Sequence, residues 1–229
     1  VRVSFLLLTA CGRIGFDEVS PVQPLCEVHS TALYCNDFDD GDLKGAFVGG
    51  GTFVPGGALG TPGYQFTAAP GDMPRLSVDL GRRITTGPVF LSARFLIAEG
   101  APIADFVVLG QLLSNAFTGK VSVDLVTDDR AQIVNANAVT SLQGEPGSLP
   151  RDRWTCFELS VVADRTGNGS LALSLDDQLL LGGPTSDPTV DVDGFGKAEL
   201  GAFASTSNGA AIDITFDDWV VDTSPVGCR

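Results

Sequence analysis

Lys120-Val121-Ser122-Val123-Asp124-Leu125 alternates apolar and polar side chains without a break. The same beat runs through Arg75-Leu76-Ser77-Val78-Asp79-Leu80 and Gly169-Ser170-Leu171-Ala172-Leu173-Ser174-Leu175. A period of two puts Val121, Val123 and Leu125 on one face of an extended chain and Ser122 and Asp124 on the other. That is the pattern of a strand with one face on a core and one toward water. Working outward, further strand candidates fall at 31–38, 46–54, 63–68, 88–98, 104–113, 131–135, 153–163, 178–182, 197–204 and 211–222. Gly, Pro, Asn or Asp clusters separate most of them. Segment 120–143 lacks Gly and Pro, but its first half alternates and is rich in β-branched residues, which argues against helix. A chain of 229 residues with 28 Gly and 13 Pro is punctuated too often for a helical bundle. The expectation is all-β, a two-sheet antiparallel sandwich forming one domain.

Charge narrows the partners. Fourteen basic residues stand against 28 acidic ones, a net charge of -14. Such a surface repels phosphate backbones and anionic headgroups, so no nucleic acid is expected as a partner. The longest uncharged stretch, 45–71, holds nine Gly and three Pro and is no membrane helix.

The chain opens Val1-Arg2-Val3-Ser4-Phe5-Leu6-Leu7-Leu8-Thr9-Ala10-Cys11-Gly12: one positive charge, an apolar run, small residues, then Cys. That order is the layout of an export signal peptide. Leu8-Thr9-Ala10-Cys11 resembles the lipobox of bacterial lipoproteins, which implies lipidation at Cys11 and a lipid anchor as the only membrane contact. Gly12, where inner-membrane lipoproteins usually carry Asp, implies the outer membrane of the cell envelope. The expected division is a signal peptide and lipidated Cys at 1–11, a tether at 12–25 and the sandwich at 26–229.

Setting Cys11 aside leaves Cys26, Cys35, Cys156 and Cys228, an even number in an exported chain. Two disulfides are expected, with three possible connectivities. No Cys-x-x-Cys spacing points to zinc or redox chemistry.

A family resemblance enters at Asp152-Arg153-Trp154-Thr155-Cys156-Phe157-Glu158-Leu159-Ser160-Val161, followed by Gly167-Asn168-Gly169 and Leu171-Ala172-Leu173-Ser174-Leu175-Asp176-Asp177-Gln178. This resembles the Trp-bearing hairpin of laminin-G-like and concanavalin A-like jelly rolls, in which the second strand ends in an Asp-Gly turn. Here Asp177 replaces the Gly, which makes a two-residue type I′ turn less assured. Ala32-Leu33-Tyr34-Cys35-Asn36-Asp37-Phe38-Asp39-Asp40-Gly41 resembles the opening strand, and Ala211-Ile212-Asp213-Ile214-Thr215-Phe216-Asp217-Asp218-Trp219-Val220-Val221-Asp222 the closing one.

In that family the first and last strands lie side by side and antiparallel, so opposed residue numbers keep a constant sum. If Cys26 faces Cys228 the sum is 254, which sets Asp37 opposite Asp217 and Asn36 opposite Asp218. Opposed carboxylates repel unless a cation lies between them. The resemblance implies a structural calcium there, with Asp37, Asp39 and Asp217 as oxygen ligands. The same geometry favours Cys26–Cys228 with Cys35–Cys156, and leaves Cys26–Cys35 with Cys156–Cys228 as the other pairing.

Catalytic sets are sparse. Six Glu, at 18, 27, 99, 145, 158 and 199, form no Glu-x-Asp-x-x-Glu motif. The single His29 and the two Tyr, Tyr34 and Tyr64, give no legible acid–base group. Trp154 and Trp219 sit in strand candidates and are expected in the core, and the 14 Phe usually go inside. The expected function is a lipid-anchored, non-catalytic sandwich that binds a glycan or an envelope protein. The alternative is a divergent polysaccharide-active enzyme, a glycoside hydrolase or lyase, of the same fold.

Overall fold

The computed structural model describes residues 24–100 and 103–228. Cys11 and nearly all of the expected tether lie outside the described residues. A single helical turn, α1 (Leu25–Val28), leads into β1 (Tyr34–Asn36), β2 (Phe47–Val48), β3 (Thr52–Val54) and β4 (Gly63–Ala68). Then follow β5 (Arg75–Ile84), β6 (Gly87–Ile97), β7 (Phe106–Leu113), β8 (Lys120–Val126), β9 (Arg130–Asn135) and β10 (Thr140–Gln143). The chain ends with β11 (Thr155–Ala163), β12 (Ser170–Leu175), β13 (Gln178–Pro184), β14 (Phe195–Ala204) and β15 (Ile212–Asp222). These form a two-sheet antiparallel jelly-roll sandwich. One sheet runs β13-β12-β11-β6-β15-β4-β3, with β1 also on β15; the other runs β10-β9-β8-β7-β14-β5-β2.

The alternating stretches behave as their period requires. Val121, Val123 and Leu125 point inward beside Leu76, Leu171, Leu173 and Leu200 in one continuous core. Its largest fully buried side chains include Trp219, Phe38, Phe66, Phe95, Phe157, Phe195 and Phe216. Each such ring contributes roughly 2–3 kcal/mol through lost water contact. Tyr34 packs on Trp219 with ring centroids 4.6 Å apart, which ties β1 to β15 through the core as well as through the ladder.

Segment 46–54 is two strands in different sheets, not one. β2 pairs with β5, and β3 pairs with β4. The chain crosses between the sheets at Gly49-Gly50-Gly51. Gly51 sits at φ +93°, and a Cβ on it would stand 2.5 Å from the Tyr64 ring. β10 was not legible as a strand because all four of its side chains are exposed, leaving no alternation to read. The Asp176-Asp177 turn does close a two-residue hairpin, Leu175 opposite Gln178, with φ of 47° and 63°. Both Asp side chains anchor it: Asp176 accepts the Cys156 N–H at 3.0 Å and Asp177 the Cys228 N–H at 2.7 Å. Short polar side chains tolerate this left-handed backbone, so glycine is dispensable.

β1 and β15 are antiparallel neighbours, but in a register shifted by one residue. Tyr34 faces Val221 and Asn36 faces Trp219, a sum of 255. A one-residue slip turns every side chain to the other face. Asn36 is therefore inside, where it accepts the Phe38 N–H and donates to Tyr34 Oη and the Asp42 carbonyl. Asp37 and Asp39 lie past the end of the ladder and do not oppose Asp217.

The disulfides are Cys26–Cys35 and Cys156–Cys228, which corrects the favoured pairing. β15 and β6 stand between the Cys35 and Cys156 strands. Three strand spacings make about 14 Å, about twice the Cα reach of a disulfide. The register reading leaned on Cys26–Cys228 as its anchor, and it slipped because that bridge does not exist.

Candidate functional site

The two outer sheet faces differ. On the eight-stranded sheet, Phe90, Val220 and Val226 pack with Leu25, Ala32 and Cys35, so α1, the turn after it and the tail cover part of that face. Glu158 holds this cover: one of its oxygens accepts the N–H groups of Val226 and Gly227, both at 2.8 Å. Cys156–Cys228 fastens the tail to β11.

The outer face of the seven-stranded sheet carries instead a hollow of about 420 Å³, lined by Phe106, Lys120, Asp124, Gln132, Val134 and Gln143 among others. Register sets the outward residues of this sheet face in rows. Glu199 of β14 faces Gln111 of β7, which faces Ser122 of β8 and then Val134 of β9. In the next row Asp124 faces Gln132, which faces Gln143. These are the outward positions of the strands whose inward positions make the core.

Although they point away from the core, four side chains of these rows are almost fully buried: Ser122 0%, Glu199 3%, Asp124 5% and Gln111 6% exposed, and of them Asp124 lines the hollow. Gln111 Nε2 donates to Glu199 Oε2 at 2.7 Å, and the Arg75 guanidinium lies 3.4 Å from Glu199 Oε1. Gln111 Oε1 has no hydrogen-bond partner among the described residues. Burial pushes the Asp124 carboxyl up to about 6, while a side-chain hydrogen bond with Ser122 and then the Lys120 ammonium pull it down. Phe117, 59% exposed, has the Lys197 ammonium 4.8 Å from its ring centroid, and Phe106 lines the hollow itself.

The residues singled out from sequence fall elsewhere. Asp217 and Asp218 lie on β15, where the ladder passes from β4 to β1 and a bulge shifts the pairing with β6. Asp217 is 1% exposed; Oδ2 accepts the Ala58 N–H at 2.8 Å and Oδ1 the Asp218 N–H at 3.0 Å. Burial first, then the charges of Asp218 and Asp39, push its carboxyl up to about 7. Burial also raises Asp218, against the Arg94 guanidinium 2.8 Å away; Asp39 and Asp37 add to the rise. Carboxylate oxygens suit calcium, but among the described residues no three acidic, His or Cys side chains gather as a ligand set. His29 follows α1 at the covered face, and Tyr34 and Tyr64 donate to the carbonyls of Leu43 and Gly50. Trp219 is core, whereas Trp154 is only half-buried, just ahead of β11.

Sequence reasoning missed the floor. Its signal was present as the polar half of the Lys120–Leu125 alternation, but an outward polar residue reads as solvated unless the fold sinks it.

No family model matches the chain, and no curated protein does. Among solved structures, the cellulose-induced protein Cip1 is similar with a TM-score of 0.66 at 15% identity, over 86% of this chain and 100% of that one. The endo-β-1,4-glucuronan lyase of Trichoderma reesei is similar at TM-score 0.60 and 13% identity, over 83% and 90%. The binding domain of botulinum neurotoxin serotype C1 reaches TM-score 0.60 at 11% identity, with 83% of this chain covering 48% of that one. At these identities the likeness shows the fold.

The raised carboxyl at Asp124 has a stability consequence. Its folded value lies above its unfolded one, so the fold gains nothing from it at high pH and bears the cost of a buried anion as the pH rises through about 6. Asp124→Asn is expected to raise thermal stability at about pH 8 by at most ~3 kcal/mol, with the gain gone below about pH 4. Melting curves of both proteins across that range check it; an equal gain at every pH would refute the assignment.

Proposed function

We propose that this chain binds a glycan on the outer face of its seven-stranded sheet. The observation that carries this reading is a 420 Å³ hollow on that face, lined by Phe106 and by the polar side chains of Lys120, Asp124, Gln132 and Gln143. Polar groups on the floor fix orientation and flat rings stack on sugar C–H faces, as ligand sites generally require. The toxin neighbours support a binding module: for one of them, botulinum neurotoxin type C, cell entry depends on interaction with two ganglioside molecules. Phe117→Ala removes an exposed ring, so it is expected to weaken glycan binding about threefold to tenfold with no change in melting temperature. Binding untouched by Phe117→Ala and by substitutions at Lys120 and Gln132 would move the site off this face and favour an envelope protein as ligand.

A second reading, a polysaccharide-active enzyme, draws on one observation: Asp124 combines a raised carboxyl with a place in the hollow, as acid–base groups do. The lyase neighbour supports it to the same degree. Incubating the chain with a polysaccharide panel separates the two. New reducing ends or unsaturated sugars that vanish in Asp124→Asn would make it an enzyme.

Calcium stands as a further proposal at Asp37, Asp39 and Asp217: Asp39 acts on Asp217, and Asp39 and Asp37 both act on the adjoining Asp218, a surplus of negative charge that a hard cation would relieve. Millimolar calcium is expected to raise the melting temperature over that in chelator, because an ion bound only by the native state stabilises it. The rise should be lost in Asp37→Asn with Asp39→Asn; a melting temperature blind to calcium would end the idea.

The lipid anchor is likewise proposed. Expressed with its leader in a bacterial host, the chain is expected to partition into detergent with the outer membrane and to move to the aqueous phase as Cys11→Ser. Equal partitioning of the two would refute lipidation at Cys11.

A further inference from the structure

The two sheets end differently at their two sides. On one side the chain itself passes from β2 to β3 and so joins the edge strands of both sheets. On the other side stand β10 and β13, and among the described residues each has a paired strand on one side only. Residues 131–144 and 178–186, which carry β9, β10 and β13, contain no Asp, Glu, Lys or Arg, in a chain that is 18% charged with a net charge of -14. Apolar side chains reach water here: Val139 is 94%, Leu179 69% and Leu142 40% exposed. Leu142 borders a gap of about 240 Å³ between the sheets, together with Leu171 and Pro184; Asp187 is the one charged group bordering it.

The two edge strands are not equally open. A bulge interrupts the pairing of β13 where β12 passes from Leu173 to Ser174, and β13 ends in Gly182-Gly183-Pro184. Bulges and Pro are devices that blunt an edge against further strands. β10 has neither, and it pairs with β9 in unbroken register from Thr140 opposite Asn135 to Gln143 opposite Gln132. Gly144 donates its N–H to the Ala131 carbonyl at 2.8 Å. Backbone direction alternates along an antiparallel strand, so Leu142 and Thr140 also bond toward β9, while the N–H and C=O groups of Ser141 and Gln143 point away from it. The hairpin that presents them is pinned: Asn135 Nδ2 donates to the Pro188 carbonyl at 2.9 Å and Asn137 Nδ2 to the Thr189 carbonyl at 2.8 Å. An edge fixed beforehand gives up little freedom on pairing.

Two such edges fit each other. If Ser141 of one copy exchanges backbone bonds with Gln143 of the other, opposed numbers sum to 141 + 143 = 284. Leu142 then faces Leu142 of the second copy, and Glu145, the first charge after β10, falls opposite the uncharged Val139. Leu142 shares the inward face with its neighbour Ile133, so the two leucines meet over the gaps between the sheets. Everywhere else, approach of two chains of charge -14 is opposed by repulsion.

We infer that this chain pairs with a second copy of itself through β10, Leu142 against Leu142, so that the two seven-stranded sheets run on as one. The inference does not depend on the glycan reading. Its consequence for the hollows is geometric: each is bordered by Gln143, so the two lie on the same side of the joined sheet.

The test is sedimentation of the full chain, carrying Cys11→Ser so that no lipid joins the copies, from about 1 to about 500 μM. A monomer–dimer equilibrium is expected with a dissociation constant of roughly 10–100 μM, because a short strand pair with flanking apolar side chains lies at the small end of specific interfaces. Added salt should tighten it, since salt screens the repulsion and the edge has no ion pair to weaken. Ser141→Pro removes an outward N–H, and Leu142→Lys sets two ammonium groups against each other. Each is expected to weaken the dimer about tenfold or more, with the melting temperature of the dilute monomer unchanged. Leu142→Cys is expected to yield a cross-linked dimer on oxidation, because directly opposed residues stand within disulfide reach, and Leu179→Cys on β13 is expected not to. A monomer across the whole range would overturn the inference. So would a dimer indifferent to both substitutions, or one cross-linked through Leu179→Cys in place of Leu142→Cys. Assembly beyond two copies would overturn it as well, because a two-fold pairing uses up β10 in each.

Discussion

The last strand of the chain fills the middle of the eight-stranded sheet. β15 is hydrogen-bonded to β6 along one edge, and to β4 and then β1 along the other. No sheet of this order can close until residue 222 is in place, so the decisive pairings are distant in sequence. The same placement settles what happens at the surface. With β1 and β15 adjacent, both ends of the described chain emerge on one side, where α1 and the tail pack over Phe90 and Val220. One disulfide closes α1 on β1; the other closes a 72-residue separation between β11 and the tail. The second restricts the unfolded chain by about 4 kcal/mol on the loop-entropy view. One outer face is thereby partly covered by α1 and the tail, and the hollow lies on the opposite one.

That open face is where the fold departs from the rule of apolar inside and polar outside. Outward residues on β8 and β7 would ordinarily keep their water. Ser122, Asp124 and Gln111 have lost it without gaining a full set of protein partners. A core substitution of Leu or Val at such positions would remove that cost. Stability alone therefore does not account for these residue types.

Much of the fold was legible because period-two alternation reports only which face is buried, and both sheets bury one face each. β5, β8 and β12 were readable to within a few residues for that reason. The boundary in 46–54 was hidden because apolar residues flank a glycine run, and glycine gives no sign of which sheet it leads to. The register failed by one residue because a constant sum needs one trusted anchor and the disulfide chosen for it was the wrong pair. The floor of the hollow was hidden more deeply. Asp124 and Glu199 are 75 positions apart in sequence and meet on one face only through β7, whose pairing with β8 and β14 no local pattern encodes.

Two buried carboxyls, Asp124 and Asp217, are both pushed well above the ordinary carboxylate range, and the reasons differ. Asp217 has both oxygens occupied by backbone N–H groups, and one of these, from Ala58, pins the loop that covers it. Gly57 makes room for the contact, since a Cβ there would stand 2.5 Å from Asp217 Oδ2. Its environment is complete within the chain apart from the surplus negative charge of Asp218 and Asp39, and its work is to hold the β4–β15–β1 junction. Asp124 instead lines the hollow, with Lys120 near enough to pull its carboxyl down against the effect of burial. Burial raises both groups, but Asp217 is held by the backbone around it, whereas Asp124 borders open space.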